Sequence, residues 1–205
     1  MSYPARIADS GVLAPGRQRF SPRQEEVIDT VETLFRREGL RGVRMGDLAT
    51  AANCSRSTLY EIAPSKEDLF LLVLDRMMRR ISLRGAAAIN EASSNMDRIR
   101  AMLTSGALDF ADLGPRYLDA VRSHPPARML LDHWIAVCRD MLEDLIARAI
   151  AEHEIRPVNG RVVAEVMFAS VLTFTDPDFT RTSRVTTADA LGGMVDLLLN
   201  GLRPR

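Results

Sequence analysis

The chain has 205 residues, is 46% hydrophobic and only 5% aromatic, and balances 27 Lys/Arg against 27 Asp/Glu for a formal net charge of zero. That length and apolar share allow one large or two small domains with a sizeable core, and sparse aromatics beside plentiful Ala, Leu, Val and Met favour helices packed on helices over sheets. Cys54 and Cys138 alone cannot form a disulfide framework or a zinc site, and no stretch offers roughly eighteen uncharged apolar residues in a row, so we expect a soluble, cytoplasmic, all-α protein with no metal, cofactor or membrane partner.

Charge is unevenly spread. Residues 1–84 carry 14 Lys/Arg against 11 Asp/Glu, and residues 85–205 carry 13 against 16. Every cation except Lys66 is an arginine, whose planar fork suits phosphate and guanine. Residues 1–20 lack periodicity and read as a flexible arm, either a plain tail or a basic arm touching DNA through Arg6, Arg17 and Arg19. Ser21-Pro22-Arg23-Gln24 has capping-box spacing with Pro at the first helical position, and Val27, Ile28, Val31, Leu34 and Phe35 then form one stripe of a helix that Gly39 can stop in the left-handed conformation.

Two short helices follow, about Met45 to Ala52 and Arg56 to Ile62. Asn53 and Cys54 make the turn between them, since Asn tolerates positive φ, and Ser55 is a good N-cap. Leu59 and Ile62 point inward, which leaves Arg56, Ser57, Tyr60 and Glu61 facing solvent or a partner. This is a helix-turn-helix pattern. After Pro64, Ser65 caps a long helix from Lys66 to about Ser93. The remainder reads as helices over about Met96–Ala111, a short one before Pro125-Pro126, Ala127–Glu154, Asn159–Thr173 and Thr187–Leu202, or about nine in all. The polar run TDPDFTRTSRVT is expected to be a loop, and the nearly uncharged VMFASVLTF to be completely buried.

The stretch DLATAANCSRSTLYEIAPSKEDLF resembles the DNA-binding signature of the TetR family of bacterial transcriptional regulators, x-x-I-A-x-x-A-G-V-S-x-x-T-L-Y-x-x-F-x-S-K-E-x-L. Leu48, Ala49, Ala52, Ser55, Thr58, Leu59, Tyr60, Ser65, Lys66, Glu67 and Leu69 fit it. The resemblance implies a helix-turn-helix DNA-binding domain over 21–66 and a C-terminal ligand-binding and dimerisation domain over 67–205. It also implies that Tyr60, Lys66, Ser55, Thr58 and Arg44 hold phosphates of a double-stranded operator, while Arg56 and Ser57 meet base edges. Asn53, Cys54, Ala63 and Gly46 depart from the pattern, which commonly has Gly, an apolar residue, Phe and a DNA-contacting side chain at those places.

By the same resemblance, the chain is a homodimer on a near-palindromic operator, and a small, largely apolar organic effector releases it from DNA as a repressor; the apolar helices near 159–173 and 187–202, with small Ala169, Ser170, Gly192 and Gly193, are themselves the candidate subunit interface. Met102, Phe110, Tyr117, Trp134, Cys138, Met141, Phe168 and Leu172 mix aromatic and flexible apolar surface and are the candidate effector-pocket residues, although plain core explains each of them singly. Two other readings stay open: a helical dimer that binds protein and has lost DNA binding, and a helical enzyme using His124, His133 or His153. Against the enzyme, no HExxH, paired-Cys motif, Gly-rich phosphate loop or nucleophile elbow is present.

Overall fold

A computed structural model of the chain describes residues 19–111 and 113–202, without the side chains of 106–111, 177 and 180. The expected arm at 1–20 therefore lies outside the described residues except for its last two. Ten α-helices follow one another: α1 Pro22–Glu38, α2 Met45–Ala51, α3 Arg56–Ile62, α4 Lys66–Glu91, α5 Asn95–Ala111, α6 Pro115–Ser123, α7 Pro125–Ala151, α8 Gly160–Phe174, α9 Pro177–Ser183 and α10 Thr187–Leu202. There is no strand among the described residues, and no helix is long and apolar enough to cross a membrane.

The helices sort into two units, one of residues 19–79 with 113–134 and one of 80–111 with 135–202. This division differs from the expected boundary at 66/67, because the first part of α4, all of α6 and the start of α7 group with the helix-turn-helix. In that first unit, Ser21 and Gln24 close the capping box of α1. Val27, Ile28, Phe35, Leu48, Leu59, Leu69 and Phe70 have no solvent exposure. A fully buried side chain of this size contributes about 1.5–3 kcal/mol. Phe70 meets Phe35 edge-on with ring centroids 5.2 Å apart. Gly39 ends α1 at φ 70°, ψ 177°, a positive φ but with an extended ψ in place of the left-handed helical one. Its lack of a side chain also admits α6, for a Cβ there would lie 2.7 Å from the Arg116 carbonyl oxygen.

The second unit is built on Ile99, Leu142, Leu145, Ile146, Ala149, Ala164, Met167 and Val195, all buried. Three expectations fail here. The polar run at 175–186 contains α9, because Asp176 caps it by accepting from the Asp178 N–H at 2.9 Å and Pro177 fits the first turn; Arg184 ends it at φ 58°. Helix α7 stops at Ala151, three residues early, with His153 at φ 59°. That turn frees the Glu154 carboxylate to accept from the backbone N–H groups of Asn95 and Met96 at 3.0 and 2.9 Å, the exposed donors at the start of α5. Finally, α8 is not wholly buried: Val162 is 57% exposed, and Val166 and Leu172 are also open.

Candidate nucleic-acid interface

The site is a short rigid frame with an open outer edge. Leu48, Ala49 and Ala52 turn one side of α2 into the core, and Leu59 and Ile62 do the same for α3. Between them the chain reverses in one left-handed step at Asn53, φ 46°, where the usual glycine is absent but a short polar side chain tolerates the conformation. Ser55 then caps α3 by accepting from the Thr58 N–H at 3.0 Å, and its hydroxyl lies 3.0 Å from that of Thr58. At the start of α2, the Arg44 N–H donates to the Asp47 carboxylate at 2.7 Å. Ser65 similarly accepts from the Asp68 N–H at the start of α4.

Two cations fasten this frame from a distance. Arg23, in the first turn of α1, donates through Nη2 to the carbonyls of Ala52 and Asn53 at 3.0 and 2.9 Å. A cation is disfavoured at a helix start, and here it neutralises the negative end of another helix. Lys66, in the first turn of α4, donates through Nζ to the carbonyls of Leu40 and Val43 at 2.9 and 3.1 Å, holding the loop between α1 and α2. An ammonium has three donors, so one remains for an outside anion. Sequence reasoning missed Arg23 altogether and missed the structural half of Lys66. The available signal was a cation where the helix dipole favours an anion.

The outer edge consists of Arg44, Ser55, Arg56, Ser57 and Tyr60, all exposed, with Thr58 and Lys66 half-buried beside them. Tyr60 is 52% exposed although its neighbour Leu59 is fully buried. Elsewhere in the unit the arginines are matched with carboxylates: Arg76 lies 2.5 Å from Glu25, Arg79 lies 2.7 Å from Asp75, and Arg116 lies 2.7 Å from Glu38. Arg41, Arg44, Arg56 and Lys66 have no carboxylate partner among the described residues. Cys54, beside the turn, has its thiol pKa raised by burial, with Arg23 opposing the shift, so a ready thiolate is not on offer there.

A sequence profile of the bacterial regulatory proteins of the tetR family matches residues 27–73, the segment from α1 into α4. Over that segment the chain carries the DNA-binding helix-turn-helix of the tetR family. It is a transcriptional regulator with a DNA-binding helix-turn-helix. It is 25% identical over 160 residues to YvaF of Bacillus subtilis strain 168, an uncharacterised HTH-type transcriptional regulator, spanning 77% of this chain and 84% of that one. The fold is that of a regulator from Saccharomonospora viridis solved with choline, with a TM-score of 0.77, 17% identity, and coverage of 89% of this chain and 98% of that one. AibR, solved with isovaleryl coenzyme A and operator DNA, matches with a TM-score of 0.64 and 22% identity over 85% of this chain and 97% of that one.

The expected effector residues are divided between the two units. Tyr117 is fully buried in the first unit, its ring 5.2 Å from that of Phe70, where aromatic packing claims it. Trp134 also falls in the first unit. Leu172 is 49% exposed. The side chain of Phe110 lies outside the described residues. Met102 packs against the small cluster of Ala86 and Met141, and both Met102 and Phe168 pack against the main core of the second unit. Burial pushes the Cys138 thiol up to about 12, leaving it a neutral apolar group at physiological pH. The residue types alone do not separate a pocket wall from a helix core, which is why this part of the site was less legible.

Proposed function

We propose that the protein is a ligand-responsive repressor that acts in the cytoplasm as a homodimer on a near-palindromic operator. Support comes first from the outer edge of α2 and α3, where cations without carboxylate partners and the exposed Tyr60 stand on a frame fastened by Arg23 and Lys66. Arg44, Ser55, Thr58, Tyr60 and the third donor of Lys66 hold phosphates, Ser57 faces base edges, and Arg56 belongs to the same DNA-facing surface. Two copies of α3 in successive major grooves require half-sites about 34–36 Å apart.

The partner in the dimer is a second copy of this chain, joined through α8 and α10. One side of α8 carries the exposed Val162, Val166 and Leu172, α10 exposes Leu197 at 75%, and a Cβ at Gly193 would meet nothing within 4 Å, so a neighbour has room to approach. The effector is a small, largely apolar organic molecule held in the second unit near Met102, Met141 and Phe168. It releases DNA by favouring the DNA-incompetent conformation, which requires different affinities for the two states. AibR with isovaleryl coenzyme A and the Saccharomonospora regulator with choline are relatives in fold that hold organic ligands.

An electrophoretic shift against the DNA upstream of the protein's own coding region tests the reading. The wild type is expected to prefer that duplex over unrelated DNA at moderate salt, with Tyr60→Phe weakened. Equal binding to both duplexes, or none, overturns it.

A further inference from the structure

Gly46 is the second residue of α2, and its φ is not in the positive region that would make glycine necessary. Glycine in a helix is also a poor choice on propensity. Its neighbourhood explains it. A Cβ at Gly46 would lie 2.7 Å from Nη2 of Arg56 and 3.4 Å from its Nε and Cζ. The guanidinium of Arg56, which belongs to the first turn of α3, therefore fills the space that a side chain at position 46 would occupy. No carboxylate holds it there among the described residues, while Asp47 is already engaged by the Arg44 N–H.

In a helix-turn-helix the first helix crosses the phosphate backbone and the second lies in the major groove. Resting on the first turn of α2, the guanidinium stands on the backbone side of the motif. Resting on the DNA-binding function proposed above, we propose that Arg56 is seated on Gly46 and grips phosphate as the side chain α2 lacks, and that Gly46 is the specificity-determining position that keeps Arg56 out of the base-reading role. A methyl group at 46 removes the seat. The far end of a flexible arginine gives way before backbone does, so it swings along α3 toward base edges, where a guanidinium takes guanine through O6 and N7.

Site selection from a random duplex pool, followed by salt titration of the selected duplexes, tests this with wild type, Arg56→Ala, Arg56→Lys, Gly46→Ala and the double variant Gly46→Ala/Arg56→Ala. Arg56→Ala is expected to weaken binding equally across duplexes and to lower the salt slope by about 0.9 for each protomer's lost phosphate contact. Arg56→Lys keeps the charge and is expected to retain that slope. Gly46→Ala is expected to select a new guanine at one symmetric position, and the double variant to lose that selection. The proposal is overturned if Arg56→Ala abolishes preference at a single base pair with the salt slope unchanged, or if Gly46→Ala selects the wild-type site and its binding does not depend on Arg56. A wild type that selects no sequence overturns the DNA-binding reading and this proposal with it. Sequence selection by wild type with either of the first two outcomes overturns this proposal alone.

Discussion

The two units use charge in opposite ways. In the second, several surface arginines are matched to carboxylates: Arg100 lies 2.6 Å from Asp196, and Arg161 reaches Glu165, Asp140 and Glu143 at 3.2, 3.4 and 3.5 Å. What that unit leaves open is apolar, above all Val162 and Leu197. The first unit buries its apolar side chains at α2 and α3 and leaves arginines open there, while matching the arginines of α4 and α6 to carboxylates. A surface with unmatched cations suits a polyanion, and a surface with exposed aliphatics suits another protein face. The contrast is local, since net charge over the whole chain is zero.

The largest break in this comparison comes from Lys66→Ala. It removes an outside phosphate contact together with the ties to Leu40 and Val43, and hydrogen bonds from a charged donor are worth about 1.5–3 kcal/mol each. DNA affinity is expected to fall by about 10- to 100-fold, uniformly across sequences, with a clear loss of thermal stability from the two broken ties. Affinity unchanged from wild type would remove Lys66 from the interface. For the second unit the matching change is Leu197→Glu, which sets a charge on the exposed aliphatic side of α10. Sedimentation should show a monomer that keeps the helical circular-dichroism signal of the wild type, because the altered residue is 75% exposed in the single chain. A variant still dimeric would place the interface elsewhere.

These two changes also mark what was legible in the residues. Ser21, Ser55, Ser65 and Asn53 announce their caps and turn because those interactions reach only a few positions along the chain. The ties from Arg23 to Asn53 and from Lys66 to Leu40 join residues 30 and 26 positions apart, and no local pattern carries them. Tyr117 fitted a pocket by type but was claimed by Phe70 in space. The helix over 159–173 was legible as an apolar pairing candidate, but which side of α8 stays open was not, because an uncharged helix reads the same whether its own chain or a second copy covers it.

Smaller effects sharpen the same contrast. Arg23→Ala should lower stability by about 1 kcal/mol, discounted for an exposed side chain, and should weaken DNA binding although Arg23 is not assigned a DNA contact. Hydrogen exchange at Asn53 and Cys54 should rise in that variant. If only stability changes, Arg23 supports the fold without positioning the turn.

In the second unit, burial raises the Glu154 pKa, but hydrogen bonds from the backbone of Asn95 and Met96, from the Asn95 side chain, and attraction to Arg98 outweigh it, so the net shift is downward. A carboxylate with a lowered folded-state pKa stabilises fully above its ordinary value, and that contribution is lost as pH falls through the lowered one. Thermal melts of the wild type should decline over that acidic range, and Glu154→Gln should flatten the decline. Equal slopes in both proteins would deny Glu154 its role as the cap of α5.

The central claim is that the open edge of α2 and α3 meets DNA phosphates while the frame behind it holds register. Fluorescence anisotropy of the operator duplex across a salt series tests it most directly. The expected result is a steep fall of log affinity with log salt, a clear preference over an unrelated duplex, and a slope shallower by about 0.9 per protomer in Lys66→Ala. A slope near zero, or equal affinity for both duplexes, would contradict it.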